Sequence, residues 1–444
     1  MTTPSPRGLQ RILGLGFGLA VIIGSTLGIG ILRTPGLVAG QLGTPSAILA
    51  VWVVGGLYTL LGSVCLTELG TMLPAAGGYY VYARRAFGET VGFAVGWTDW
   101  LTYCAVLGYI SIGLAEFIAV LVPHLAPMVT AIAIAALVAF VALQWAGVRA
   151  SSRFQEWATA IKFAAFLALV LGCLAFAGRA QAGVLAVPSN LTPTFAGLII
   201  ALQSVVITYG GWQSALYFTE EDRDPRRNLP RAMIGGVVAV IGVYLLVNVA
   251  LLQVLPVSEL ARSTLPAADA AQLVLGGHGR QIITILSLVS LPPLLNAIMM
   301  IGTRILYAMG RDRLLPSQAA VVNAGGTPTV ATLVTTAVAM ALIASGTFQK
   351  LVAVASFFLA ANYFVCCLAL IVLRRREPFV ARPFRAWGYP WSAAIVVIGA
   401  AAFLVGALMA DTPNALAALV LLAVGLIGRL AIRARHRHGR DITN

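Results

Sequence analysis

The feature that most limits what this chain can fold into is a recurrence of apolar stretches long enough to cross a bilayer. A helix needs about 20 such residues to do so. They fall at 12–32, 45–69, 91–122, 126–145, 157–177, 195–218, 231–255, 282–310, 330–345, 351–373, 389–409 and 414–432. Backbone polar groups in hydrocarbon must be satisfied within their own segment, so these stretches read as helices. Of the 444 residues, 59% are hydrophobic and 10% charged, against roughly 25% charged in a soluble domain. No water-exposed surface can be built from that composition. It excludes a soluble enzyme, a nucleic-acid binder, a disordered chain and a secreted disulfide scaffold. An all-α integral membrane protein with twelve transmembrane helices is expected. The first stretch is not read as a cleavable signal, because it lacks a small-residue cleavage site and runs directly into Arg33-Thr34-Pro35.

Charge placement orients these spans. The formal net charge is +14, from 29 Lys+Arg against 15 Asp+Glu. With the amino terminus inside, every arginine except Arg33, Arg179, Arg262 and Arg280 falls on the inner side, in segments such as Arg223–Arg231 and Arg374–Arg385. Lys350 lies outside and Lys162 lies within a span. The positive-inside asymmetry survives only with an even number of spans, which puts both termini in the cytoplasm of a cell-membrane protein. The basic excess is thus a record of topology rather than a nucleic-acid surface. Cys65, Cys104, Cys173, Cys366 and Cys367 all fall in apolar spans without metal-ligand spacing and read as packing residues. The tail run Arg435-His436-Arg437-His438 reads as a solvated basic tail near anionic headgroups. Gly14-Leu15-Gly16-Phe17-Gly18 resembles part of a dinucleotide fingerprint, but the spacing is wrong and no strand precedes it.

Two spans interrupt their own helices. The first contains Gly24-Ser25-Thr26-Leu27-Gly28-Ile29-Gly30-Ile31, and each glycine costs a helix about 1 kcal/mol relative to alanine. The sixth contains Thr208-Tyr209-Gly210-Gly211-Trp212-Gln213. Close packing through small residues, as in Gly24-x-x-x-Gly28, accounts for glycines alone. The positions add more: spans one and six correspond in two five-span halves, and matched interruptions point to a transporter binding site. A broken helix exposes N–H groups at a positive end and C=O groups at a negative one. Such a pair of ends suits a zwitterionic α-amino acid.

Ionisable residues inside the membrane are costly and usually functional. Lys162 sits in Ala160-Ile161-Lys162-Phe163-Ala164. If its helix starts near Trp157, it is less than two turns deep and can snorkel to the inner headgroups. Proton exchange, or an ammonium standing in for a sodium ion, are the functional readings. Glu68, Glu156 and Asp99 are expected near the inner interface, Glu116 in the outer half of the third span. Asn296 follows Pro292-Pro293, where an amide either satisfies freed backbone or meets substrate.

The sequence resembles the amino acid–polyamine–organocation superfamily, especially the branch holding the L-type amino acid transporters and their bacterial relatives. The resemblance rests on Tyr209-Gly210-Gly211-Trp212, Thr219-Glu220-Glu221, Pro225 and Arg227-Asn228-Leu229-Pro230 after the sixth span. The first-span run Ile23–Ile31 also matches, as do Glu68-Leu69-Gly70-Thr71-Met72-Leu73-Pro74 with Gly77-Gly78-Tyr79. A further match is Glu377-Pro378, Arg382-Pro383-Phe384 and Gly388-Tyr389-Pro390. The resemblance implies one transmembrane domain built as a five-plus-five inverted repeat (12–178 and 195–373) with broken helices one and six. Two C-terminal helices (388–433) and a basic tail (434–444) follow. It implies a substrate carboxylate at the N–H groups of Gly28, Ile29 and Gly30. The ammonium would meet carbonyls near Thr26 and those of Ile207, Thr208 and Gly210. Ser25, Tyr209 and Asn296 complete the expected site, and Lys162 matches a fifth-span lysine that replaces a sodium ion in sodium-independent members. Three departures stand out: Gly28-Ile29-Gly30 lacks the family's serine, Ile207 stands where relatives often place a phenylalanine gate, and Leu294 and Ile298 stand where some relatives have serines.

The expected function is sodium-independent secondary transport of small or medium neutral amino acids by alternating access, through exchange or proton symport. An amine or polyamine carrier is the nearest alternative, but it calls for acidic residues near the breaks, and there are none. A membrane receptor or enzyme calls for a nucleophile, a metal cluster or a large soluble domain. The reading therefore carries no catalytic residue, cofactor or metal. Its partners are an amino acid, the lipid bilayer and, for symport, protons; the oligomeric state is left open.

Overall fold

The computed structural model describes residues 8–180, 194–345, 348–410 and 412–441. Arg7 and the last tail residues, 442–444, lie outside them. The apolar stretches form helices throughout: α1 (Leu15–Thr26), α2 (Gly30–Leu42), α3 (Pro45–Met72), α4 (Tyr79–Phe87), α5 (Glu89–Leu121), α6 (Val129–Trp145) and α7 (Val148–Ala180) come first. Then follow α8 (Phe195–Thr208), α9 (Pro225–Val254), α10 (Val257–Arg262), α11 (Pro266–Leu275), α12 (Gly279–Arg311), α13 (Thr329–Ala344), α14 (Phe348–Arg376), α15 (Trp391–Ala410) and α16 (Thr412–Asp441). Local chemistry sets their starts. Thr44 caps α3 by accepting from the Ala47 N–H, with Pro45 in the first turn, and Thr194 caps α8 through the Gly197 N–H at 3.0 Å.

Among the described residues, nine helices are long and apolar enough to span a membrane, or ten if α1 and α2 count as one span bent by 46°. Thr329–Ala344 and Trp391–Gly406 are shorter apolar helices. Large apolar side chains such as Leu171, Ile398, Val420 and Ile427 stand exposed, the surface expected of a chain solvated by lipid. The chain is an all-helical, multi-pass membrane protein.

Two hydrophobic cores are stacked along the bundle, and α3 and α9 run through both. Phe17, Val21 and Ile22 of α1 belong to one core, whereas Leu27, Ile31 and Leu32 belong to the other. The sixth span does the same: Val205 and Tyr209 sit in one core, Trp212 and Leu216 in the other. Both helix breaks therefore fall where one core gives way to the next.

Helix starts bear on two depths inferred from sequence. The fifth span begins at Val148 rather than near Trp157, so Lys162 lies about 21 Å along α7. Asp99, expected near the interface, lies about 15 Å along α5 and is fully buried. Glu156 and Glu116 are exposed, whereas Glu68 is fully buried. The stretch between the seventh and eighth spans carries the short helices α10 and α11.

Candidate functional site

The interruption of the first span runs from Leu27 to Ile29. α1 ends at Thr26, its cap residue Leu27 is extended at φ −70° and ψ 102°, and α2 opens at Gly30 with no side-chain cap. The first N–H groups of α2 thus have no intrahelical partner, and the last carbonyls of α1 are likewise freed. Gly30 is exposed and Gly28 half-buried, while the hydroxyls of Ser25 and Thr26 are buried and hydrogen-bond nothing within the protein. The sixth span breaks after Thr208, turns through Tyr209–Gly211, and resumes as a 3₁₀ helix over Trp212–Phe218.

The two breaks touch. Gly211 has φ +112°, and a Cβ there would fall 2.5 Å from the Ser25 carbonyl oxygen, so only glycine fits both the turn and the gap. The Tyr244 hydroxyl on α9 lies 2.6 Å from the Thr26 carbonyl oxygen and 3.0 Å from that of Thr208, bridging the two interrupted spans. The hydroxyls of Thr34 and Thr208 are 2.7 Å apart, joining α2 to α8. Tyr209 donates to the Trp52 carbonyl at 3.2 Å and packs with Trp52 and Tyr244, ring centroids 5.8 and 4.9 Å away. The Ile207 carbonyl accepts from the Gly210 N–H at 2.9 Å.

Lys162 does not snorkel. It is fully buried, and its Nζ donates to the carbonyls of Gly24 at 2.9 Å and Ser290 at 3.0 Å, clamping the end of α1 to α12. A cation there complements the negative end of α1. Three polar residues of α7 face α1 in register: Gln155 and Thr159 donate to the Ala20 carbonyl at 3.3 and 3.1 Å, and Lys162 reaches one turn further on. α1 packs tightly on α7 at Gly24, where a Cβ would meet Thr159 Oγ1 at 2.5 Å. The first-span glycines thus divide their work, Gly24 for packing and Gly28 to Gly30 for the break.

Asn296 is not brought to the break. Its amide donates to the Ser151 carbonyl at 3.1 Å and to Gln155 Oε1 at 2.9 Å, and its oxygen accepts from Gln144 at 2.9 Å. It completes a polar layer joining α12 to α6 and α7. Ile207 is 54% exposed and faces a cavity of about 650 Å³ between α3, α8, α14 and α15. That cavity reaches Gly210, Trp212 and Gln213 but no residue of the first span.

The motif carboxylates act as clasps. Glu221 pairs with Arg304 at 3.0 Å, both fully buried. Glu220 accepts from the Ala76 N–H at 2.8 Å and from Arg311 at 2.6 Å. Glu68 pairs with Arg374 and Arg382 at 2.5 and 3.0 Å and accepts from the Ala386 N–H at 2.7 Å. Sequence reasoning missed Tyr244 and the α7 stripe. The spacing of Gln155, Thr159 and Lys162, four and then three residues apart, carried the signal for the stripe. A tyrosine amid Gly242-Val243-Tyr244-Leu245 was the only hint of the bridge.

A membrane bundle in which two interrupted helices meet, their backbone ends outside intrahelical pairing, has a carrier-type architecture. Comparison with known proteins gives the family. Residues 18–426 match the family model described as amino acid permease. A serine/threonine exchanger of Bacillus subtilis is 26% identical over 424 residues, covering 94% of this chain and 96% of its own. Human Asc-type amino acid transporter 1 is 30% identical over 391 residues, covering 85% of this chain and 74% of its own. The human large neutral amino acids transporter small subunit 2 is 28% identical over 388 residues, 85% and 72%. The chain belongs to the amino acid permease family of the amino acid–polyamine–organocation superfamily. It is an amino acid transporter, not an enzyme.

Proposed function

We propose that this protein carries small or medium neutral amino acids across the cell membrane by sodium-independent alternating access, driven by exchange or by proton symport. One observation carries the reading: the breaks of spans one and six lie against each other, their backbone ends released from intrahelical pairing, with no acidic residue in either break among the described residues. The N–H groups of Gly28, Ile29 and Gly30 would hold the carboxylate. The ammonium would sit between the end of α1 at Ser25 and Thr26 and the carbonyls of Ile207, Thr208 and Gly210, with Tyr209 behind them. Lys162, bound to Gly24 and Ser290, would occupy the place of a coupling cation. Asn296 would act at a distance, through Gln155 and α1.

The relatives support the substrate class, since their names specify a serine/threonine exchanger, an Asc-type amino acid transporter and a large neutral amino acids transporter. Twelve spans arise if the bent pair is one span and the two shorter apolar helices also cross. Under that topology the chain is a five-plus-five repeat (12–178, 195–373) with 388–433 and the tail appended, and both termini are cytoplasmic.

A thermal-shift screen of the purified protein against all common amino acids and polyamines tests the substrate class. Neutral amino acids should raise the melting temperature, because a ligand at a hundred times its Kd stabilises the state it binds by about 2.7 kcal/mol. Stabilisation by polyamines alone would overturn the reading.

A further inference from the structure

The transport reading leaves one fully buried acid unused. Asp99 on α5 accepts a hydrogen bond from the Tyr217 hydroxyl at 2.7 Å through Oδ2, and its Oδ1 is buried with no partner. It takes part in none of the ion pairs among the described residues. The titratable groups that face it are all neutral acids: Tyr103 of α5, Tyr217 of the 3₁₀ segment, Tyr79 of α4 and Cys366 of α14. Among neighbouring elements, Arg304 of α12 pairs with Glu221 and Arg429 of α16 with Glu89. Asn362 of α14 reaches Thr98, the residue before Asp99, at 2.9 Å. An ionised carboxylate held away from water without a cation is expensive, and a proton on the free oxygen relieves that cost.

The location gives such a proton a task. Tyr217 belongs to the segment that resumes the sixth span after its break, and its ring lies 5.9 Å from that of Tyr79, which lines the 650 Å³ cavity. Gln213 of the same segment also lines that cavity. A hydrogen bond to a carboxylate is roughly twice as strong as one to a neutral acceptor. The charge on Asp99 therefore sets how firmly α5 holds the resumed half of span six.

Resting on the transporter reading, we propose that Asp99 is the proton-binding site that makes this carrier a proton symporter, with Tyr217 relaying its charge to span six. The proton adds to an Oδ1 lone pair from water on one side of the membrane and leaves to water on the opposite side as the carrier alternates. No other bond is made or broken.

The test uses the full chain in proteoliposomes with labelled L-alanine, L-serine and L-leucine. With an inside-alkaline gradient of one pH unit, one proton per substrate sustains about tenfold accumulation. The wild type should reach it. Asp99→Asn should accumulate no more than without a gradient, yet still exchange internal for external label. Tenfold accumulation by Asp99→Asn, or a wild type that exchanges label but ignores the gradient, overturns the proposal. Absence of any exchange by the wild type instead overturns the transporter reading. Infrared spectroscopy gives an independent readout. The wild type should carry a protonated-carboxyl carbonyl band that Asp99→Asn lacks and that Tyr217→Phe shifts. If Asp99→Asn does not fold, an unshifted band in Tyr217→Phe rejects the site.

Discussion

Lys162 carries more consequence than any other side chain near the breaks. Its ammonium is buried on all sides and held by the Gly24 and Ser290 carbonyls, so its removal leaves two buried acceptors and a hole between α1, α7 and α12. A lost partner of a buried group costs about 1–3 kcal/mol, more when charge is involved. Lys162→Ala should therefore abolish driven uptake in sodium-free proteoliposomes and lower the melting temperature. Wild-type uptake by that variant would remove the role assigned to it. The lysine is conspicuous in the sequence because its neighbours are apolar, yet sequence alone misjudges its depth. Depth depends on where α7 begins, and the polar face of Ser151 and Gln155 is buried against other helices rather than solvated, so it does not end the helix. Sequence alone also misses that Asp99 is sealed from solvent, for a similar reason. A carboxyl ten residues from a helix start reads as interfacial until Tyr217 and α14 are found covering it.

At the scale of elements, the two interruptions were legible because glycine content is a local property. What the glycines do was not. Gly210 and Gly211 look alike in sequence, but only Gly211 has positive φ and lies against Ser25, while Gly210 borders the cavity. Gly211→Ala forces a left-handed alanine, which costs about 1–3 kcal/mol before any clash with Ser25 is counted. The variant should lose the substrate-induced thermal shift through displacement of the span-one break. An unchanged shift would mean that the crossing of the two spans does not shape the site. Tyr244 bridges the same crossing from α9, and no periodicity reveals it. Its hydroxyl finds both carbonyls only because α1, α8 and α9 converge at one level.

For the whole molecule, the decisive interactions are the clasps that join distant segments at one end of the bundle. Glu221 and Arg304 are 83 residues apart and both fully buried, with the guanidinium also 5.5 Å from the centre of the Phe218 ring. Breaking a buried pair by removing one partner costs about 3–5 kcal/mol, because the other charge stays behind. Glu221→Ala should lower the melting temperature in detergent sharply, while Arg227→Ala, on an exposed pair with Asp224, should leave it nearly unchanged. Equal melting temperatures for the two variants would show that Arg304 finds another anion or water.

The linear sequence determined the class of fold, the membrane as solvent, the two helix breaks and the family. Each of these follows from composition, run length and local motif, properties that need no partner segment. Only the tertiary structure decided that the breaks meet at the seam between two cores, that Lys162 clamps α1 instead of reaching headgroups, and that Asn296 serves a polar layer away from the break. It also decided that Asp99 is sealed in with a free oxygen. Burial and hydrogen-bond partnership are set by residues far away in the chain, and the cost of an unpaired polar group in a low-dielectric interior makes those distant contacts decisive.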